Sequence, residues 1–222
     1  GSALFTGDAG SGESGIRQYI LENDLLECIV QLPNDMFYNT GISTYVLFVT
    51  NTKDKKRKGK VQLINASSDT FYRKMRKPLG SKRNELTPEH IEAIQDMYFA
   101  FEENEFSKIF DIEDFGFYQI TVHQPEKDEN GKILKDSKGK LKSDSSLKDI
   151  ENVPMKESID EYFKREVLPF APNAWYDKTK MKVGYEIAFN KYFYQYEPMR
   201  QLNEISADIM LLEQETDGLL KN

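Results

Sequence analysis

Residues 25–51 read LLECIVQLPNDMFYNTGISTYVLFVTN. Two apolar runs, 25–32 and 44–50, flank a polar loop, and Glu27 interrupts the first. Short runs that are apolar throughout, rather than alternating, read as strands buried on both faces, which suits a mostly parallel sheet covered by helices. The loop carries Phe37 between a turn at Pro33 and one at Gly41. A ring held there lies at the lip of the sheet, where an extruded nucleobase could rest on it in place of its lost stacking neighbours. The plain alternative is a core residue beside a turn.

Upstream, Ala3-Leu4-Phe5 reads as the end of a strand and TGDAGSGES as a glycine loop. Ser14 is the expected N-cap of a helix whose buried face carries Ile16, Tyr19, Ile20 and Leu21. Downstream, NTKDKKRKGK (51–60) is a basic turn and VQLIN (61–65) a further strand. Phe71, Met75 and Leu79 recur at helical spacing and predict a short helix. Lys74, Arg76, Lys77, Lys82 and Arg83 surround a Pro-Leu-Gly turn, either a phosphate-holding cluster or an exposed loop. Thr87-Pro88-Glu89 starts a helix carrying Ile91, Ile94, Met97, Tyr98 and Phe101.

Residues 107–122 read as a turn into a strand, and 124–152, polar and lysine-rich, as a mobile insertion or a small exposed hairpin. Ile159, Tyr162, Phe163 and Val167 predict a helix over 155–168, and the aromatic run 183–193 a strand. From about residue 200, Leu202, Ile205, Ile209, Leu212, Thr216 and Leu219 alternate spacings of three and four, a heptad seam. A helix this short needs a partner, in its own domain or in another chain. No internal repeat is evident.

A net charge of −7 over 222 residues argues against a free-standing non-specific DNA binder. The single cysteine rules out an internal disulfide and suits a reducing cytoplasm, with Cys28 a small core residue. No apolar run approaches the roughly 20 residues that span a bilayer, so no membrane partner is expected. The G-x-G-x-x-G at 10–15 is rejected as a dinucleotide loop, because the preceding strand is too short and Glu13 would face a pyrophosphate. Asp114-Phe115-Gly116 lacks the other kinase motifs. His90 and His123 have no third ligand, so no metal is expected, and no catalytic set stands out.

In order along the chain, LFTGDAGSGES (4–14), LPNDMFYNTGISTYV (32–46), KGKVQLINAS (58–67), MRKPLGSKR (75–83), SKIFDIEDFGFYQITV (107–122) and VGYEIAFNKYFY (183–194), then a closing helix, resemble the modification subunit of type I restriction–modification systems. The first two blocks are the most specific, and only about 125–155 is individual. The resemblance implies an adenine-specific (N6) DNA methyltransferase that uses S-adenosylmethionine. Its implied partners are a specificity subunit, a second modification subunit, a restriction subunit and double-stranded DNA.

The implied fold is α/β. Residues 1–66 would be the C-terminal part of a Rossmann-like methyltransferase sheet, and 67–198 a mixed α+β, mainly helical extension with the polar insertion near 124–152. Residues 199–222 would form an interaction helix. The family's cofactor loop and Asn-Pro-Pro-Phe motif are expected upstream of Gly1, since neither occurs here. The resemblance therefore implies no catalytic or cofactor-binding residue in this stretch, no S-adenosylmethionine bound to it, and no activity of it alone. Phe37 matches the aromatic that packs on the flipped adenine, with Asn39 and Thr40 bordering the base or its sugar. Leu202, Ile205, Ile209, Leu212 and Leu219 would bundle with the specificity subunit. The alternative is a non-catalytic assembly module.

Overall fold

The computed structural model describes residues 5–194, 196 and 198–219, with side chains to residue 216. The strand end expected at Ala3 and Leu4 lies outside the described residues. In chain order the elements are α1 (Gly12–Glu22), β1 (Leu26–Leu32), β2 (Thr44–Val49), β3 (Lys60–Asn65), β4 (Arg73–Leu79), β5 (Lys82–Glu85) and α2 (Pro88–Ala100). There follow β6 (Ser107–Asp111), β7 (Gly116–His123), β8 (Asp149–Pro154), α3 (Ile159–Tyr162), β9 (Trp175–Tyr176), β10 (Lys182–Tyr185), α4 (Phe189–Phe193) and α5 (Leu202–Leu219). The fold is a mixed α/β arrangement.

The two apolar runs pair, but antiparallel, with Ile29 opposite Leu47. The first sheet has the order β2–β1–β3–β6, and only β1–β3 is parallel, with Ile29 opposite Leu63 and Gln31 opposite Asn65. The expected mostly parallel sheet is therefore mixed. The connection 33–43 is too short for a crossover, which takes roughly a dozen residues or more. The sheet draws on both sides of residue 66, since β6 closes its far edge.

Both faces of the central strands β1 and β3 are covered, which is why they do not alternate, whereas edge strand β2 leaves Val46, Phe48 and Val49 exposed. On one face Leu26, Ile29, Val61 and Leu63 pack with Leu21, Phe115, Tyr185 and Ile187. On the other, Cys28, Val30, Ile64, Ala66 and Phe71 pack against Ile94 and Met97 of α2. An irregularity between Leu26 and Cys28 shifts the phase of β1, so that Leu26 and Ile29 share a face. Full burial of each such side chain contributes about 1.5–3 kcal/mol. Burial raises the Cys28 thiol to about 12, so it stays protonated.

Helix α1 is capped by Ser11, not by Ser14, whose backbone N–H donates to Ser11 Oγ at 3.2 Å. Its buried face is Ser14, Arg17 and Leu21, while Ile16 and Tyr19 are exposed. The reason is Arg17. Its Nε donates to the carbonyl of Tyr185 at 2.5 Å, Nη1 to that of Thr6 at 3.0 Å and Nη2 to that of Gly7 at 3.2 Å, tying the glycine loop to β10.

A second buried cation, Arg57, joins β1, β3 and α2. Its Nε lies 3.3 Å from Glu27 Oε1, Nη1 donates to Gln62 Oε1 at 3.1 Å and Nη2 to the carbonyl of Tyr98. The guanidinium packs over the rings of Tyr98 and Phe101, 4.2 and 4.3 Å from their centroids. Gln62 Nε2 completes the network by donating to the Met97 carbonyl and to Ser107 Oγ, both at 2.9 Å.

The expected helix through Phe71, Met75 and Leu79 is instead a hairpin, β4–β5. Pro78 has no N–H to give a helix, and the strand's side chains are mostly exposed, so its apolar residues reflect no buried helical face. Helix α2 starts where expected, with His90 spent as a cap whose Nδ1 accepts from Thr87 N at 3.1 Å.

A second sheet, β10–β7–β8 with β9 beside β7, packs Ile120, Val122 and Val153 on Phe163 and Val167. Residues 107–122 hold two strands rather than one. The helix expected over 155–168 begins at Ile159 and continues as a wide turn, Phe163–Val167. The strand expected over 183–193 ends at Tyr185, and Phe189–Phe193 is helical because Ile187 and Phe189 turn into the core of the first sheet.

Residues 124–148 contain a repeat that the composition hides. Asp128, Asp136 and Asp144 are each the head of a turn, and the Oδ1 of each accepts from the backbone N–H two residues on, at 2.8–2.9 Å. Three short strands pair in a ring: Glu126 N–H donates to the Lys142 carbonyl at 2.8 Å, Leu134 N–H to Glu126 at 2.9 Å and Lys142 N–H to Leu134 at 3.1 Å. Helix α5 exposes Leu202, Ile205, Ile209 and Leu212. The side chain of Leu219 lies outside the described residues.

Candidate functional site

The carboxyl ends of β1 and β3, the parallel pair, lie side by side at Gln31 and Asn65. Beyond them the chain leaves β1 through buried Pro33 and enters a loop whose first bend is Asp35, in the left-handed region at φ 57°. The loop then doubles back on itself, with Thr40 N–H donating to the Phe37 carbonyl at 3.3 Å. This turn leaves the Phe37 ring 49% exposed and Tyr38 and Asn39 exposed, while Thr40 is half-buried. Phe37 is therefore a surface ring, not a core residue.

The basic hairpin is fastened to this loop. Arg83 and Asn84 backbone N–H groups donate to the Asp35 carbonyl at 2.9 and 3.2 Å, and Asn84 Nδ2 donates to the Asn34 carbonyl at 2.9 Å. Ser81 N–H donates to the Tyr38 carbonyl at 2.9 Å. The hairpin turns at Gly80, φ 60°, where a Cβ would meet that carbonyl at 2.9 Å and the Tyr38 ring at 3.1 Å. Only glycine combines that backbone with that closeness.

Between loop and hairpin lies a cleft of about 610 Å³. Gln31, Asn34, Asp35 and Ser43 line one side, and Tyr72, Lys74, Arg83 and Asn84 the other. Gln31 Nε2 donates to Ser43 Oγ at 3.3 Å, and Ser43 Oγ donates to Asn34 Oδ1 at 2.8 Å. Lys74, Met75, Arg76 and Lys77 border a second open cleft, of about 760 Å³, on the hairpin. Arg73 pairs with Glu85 at 2.8 Å. Among the described residues, none of Lys74, Arg76, Lys77, Lys82 and Arg83 has an acidic partner within ion-pair distance.

The structure thus brings together two groups that lie apart in the sequence, the Phe37 loop and the basic cluster. Lys74 and Arg83 enter the cleft, Arg76 and Lys77 face the neighbouring one, and Lys82, half-buried, lines neither. Phe37, Asn39 and Thr40 border the site without lining the cleft. The positions of the seam on α5 take no part in it. Sequence reading missed Gln31, Asn34, Ser43 and Asn84. A glutamine closing an otherwise apolar strand was the one available signal.

The glycine loop is closed on the protein itself. Arg17 occupies the carbonyls of Thr6 and Gly7, and Ser11 fills the N-cap of α1. Among the described residues no group of three His, Cys, Asp or Glu side chains could hold a metal. His123 Nδ1 lies 3.0 Å from Ser143 Oγ, and its ring stacks on Trp175.

Residues 2–132, which include the loop, the hairpin and the first sheet, match the family model described as N-6 DNA Methylase. The chain belongs to the N-6 DNA methylase family. Curated relatives of this N-6 DNA methylase chain include the type I restriction enzyme MjaVIII methylase subunit of Methanocaldococcus jannaschii. That protein is 36% identical over 113 residues, covering 50% of this chain and 18% of the relative. The MjaIX methylase subunit of the same organism is 35% identical over 127 residues, covering 57% and 21%. The HindI methylase subunit of Haemophilus influenzae is 43% identical over 56 residues, covering 25% and 12%. The matches therefore span less than a quarter of the length of these curated relatives. A crystal structure of a type I restriction-modification system methyltransferase subunit from Streptococcus thermophilus aligns over 51% of this chain and 22% of that one. Its identity is 27% and its TM-score 0.43.

Proposed function

We propose that these residues are the part of a type I modification subunit that faces the target base, in an enzyme transferring a methyl group from S-adenosylmethionine to N6 of adenine in DNA. The observation that carries this reading is the half-exposed Phe37 ring, presented at the carboxyl end of β1 beside a cluster of cations that have no acidic partner among the described residues. The exocyclic amine of adenine is a weak nucleophile, because its lone pair is delocalised into the ring. Holding the extruded base against a fixed aromatic face lowers the barrier chiefly by positioning. Stacking contributes about 1–3 kcal/mol per base, enough to hold the base and too little to drive the transfer.

In this reading Asn39 and Thr40 border the base or its sugar, and the hairpin cations hold backbone phosphates. The first sheet is the C-terminal part of a Rossmann-like sheet, and α5 bundles with a specificity subunit. A second modification subunit and a restriction subunit complete the complex. The methyl donor supplies the electrophilic carbon and is held elsewhere in the subunit, by the cofactor loop that the resemblance places outside this stretch. The 222 residues alone are then inactive.

In the assembled enzyme, Phe37→Ala should lower methyl incorporation at least tenfold and weaken the 2-aminopurine signal of the extruded target base. Full-rate methylation with an undiminished signal would reject the reading. The second reading, an assembly module, is favoured by the exposed apolar positions of α5. It becomes the better description if Phe37→Ala is silent while truncation after Arg200 abolishes assembly. No helix among the described residues is long and apolar enough to cross a membrane.

A further inference from the structure

We propose that the cleft between the Phe37 loop and the β4–β5 hairpin holds a second nucleotide of the DNA, one next to the target base, and that Gln31 and Asn84 contact its base edge. This rests on the reading of the Phe37 loop as the DNA-facing part of the enzyme.

Four observations carry it. The cleft opens at the carboxyl ends of the parallel pair, where α/β sheets characteristically receive ligands, and about 610 Å³ is within the range of small-ligand sites. Gln31 and Asn84 are 7% and 8% exposed, yet each amide is only half used. Gln31 Nε2 donates to Ser43 and Asn84 Nδ2 to Asn34, while among the described residues Gln31 Oε1 and Asn84 Oδ1 accept nothing. Neither oxygen is among the sealed, unpartnered side-chain atoms of the described residues, and both residues line the cleft.

Each oxygen can exchange solvent for a donor on a ligand. The exocyclic amino group of adenine or cytosine is such a donor. Lys74 and Arg83 line the same cleft, have no acidic partner among the described residues and suit the phosphate. Asp35 also lines it. Its carboxylate suits the amino edge of a base and disfavours a site for phosphate alone. Tyr72 and Pro78 supply the flat apolar surface against which a base packs.

The test uses the assembled enzyme and duplexes carrying a single abasic site at each position flanking the target adenine. Wild type should bind about tenfold more weakly when one particular neighbour is abasic, the size expected for loss of a base-edge contact. Gln31→Met should abolish that difference at that position and no other. Lys74→Ala, on an exposed strand where folding is not at risk, should weaken binding equally with every duplex. An abasic series that is flat in wild type, or a penalty that survives in Gln31→Met, would overturn the proposal. Failure of the underlying reading shows separately, as an undiminished target-base signal in Phe37→Ala.

Discussion

Two sets of polar side chains adjoin the first sheet, and they are built oppositely. Around Arg57 each buried polar group is matched: the guanidinium meets Glu27, Gln62 and the Tyr98 carbonyl, and Gln62 meets Met97 and Ser107. At the cleft beyond the carboxyl ends of β1 and β3, Gln31 and Asn84 are half matched, and among the described residues Lys74 and Arg83 have no acid within ion-pair distance. The first set closes on itself and has nothing left to offer a ligand. The second is held in shape by the hydrogen bonds it does make and presents those it does not. Burial alone does not mark a binding site; residual hydrogen-bonding capacity does.

The difference can be broken experimentally. Arg57→Ala should cost the most, about 3–5 kcal/mol of folding stability, since it removes the cation paired with the largely covered Glu27 carboxylate and the donor to Gln62 and to the Tyr98 carbonyl. Urea unfolding measures it, and an unchanged midpoint would show that the network is dispensable. Changing Lys82 and Arg83 together to Gln should do the reverse. Stability should stay within about 0.5 kcal/mol, while the slope of log affinity for duplex DNA against log salt should fall by about 2. A shift in melting without a change in slope would move the hairpin cations into the structural set.

The smallest effect concerns Asp111. Hydrogen bonds from Lys60, then from Lys156, draw its carboxyl down to about 2. With the folded value below the unfolded one, near 3.9, its contribution is complete above about pH 4 and is lost as pH falls toward 2. Asp111→Asn should flatten that part of the acid-unfolding curve slightly, because the pair is half exposed and screened. An identical curve in wild type and variant would show that the pair contributes nothing.

Much of this was legible. The apolar runs located β1, β2 and β3, Thr87-Pro88 located α2, and the position of Phe37 between two turns located the loop. What escaped has physical causes. Strand direction is not written in composition, although the eleven-residue gap between Leu32 and Thr44 already disfavoured a crossover. The β4–β5 hairpin is exposed and pairs only with itself, so no face imposed a two-residue period. Gln31 and Asn84 become a pair only when the hairpin folds over the sheet, and no spacing in the sequence announces that. The triplet at 124–148 was hidden because its common features are one aspartate and a turn, with no shared apolar face; Asp-x-x-Gly-Lys at 128–132 and 136–140 was the signal available.

That triplet sets its own size. Each of its three short segments already bonds to both others through isolated bridges, so a fourth unit could join the ring only by breaking one of those bonds. Insertions and deletions there should be tolerated only in the turns, and excision of a single eight-residue unit should unravel the ring rather than shorten it.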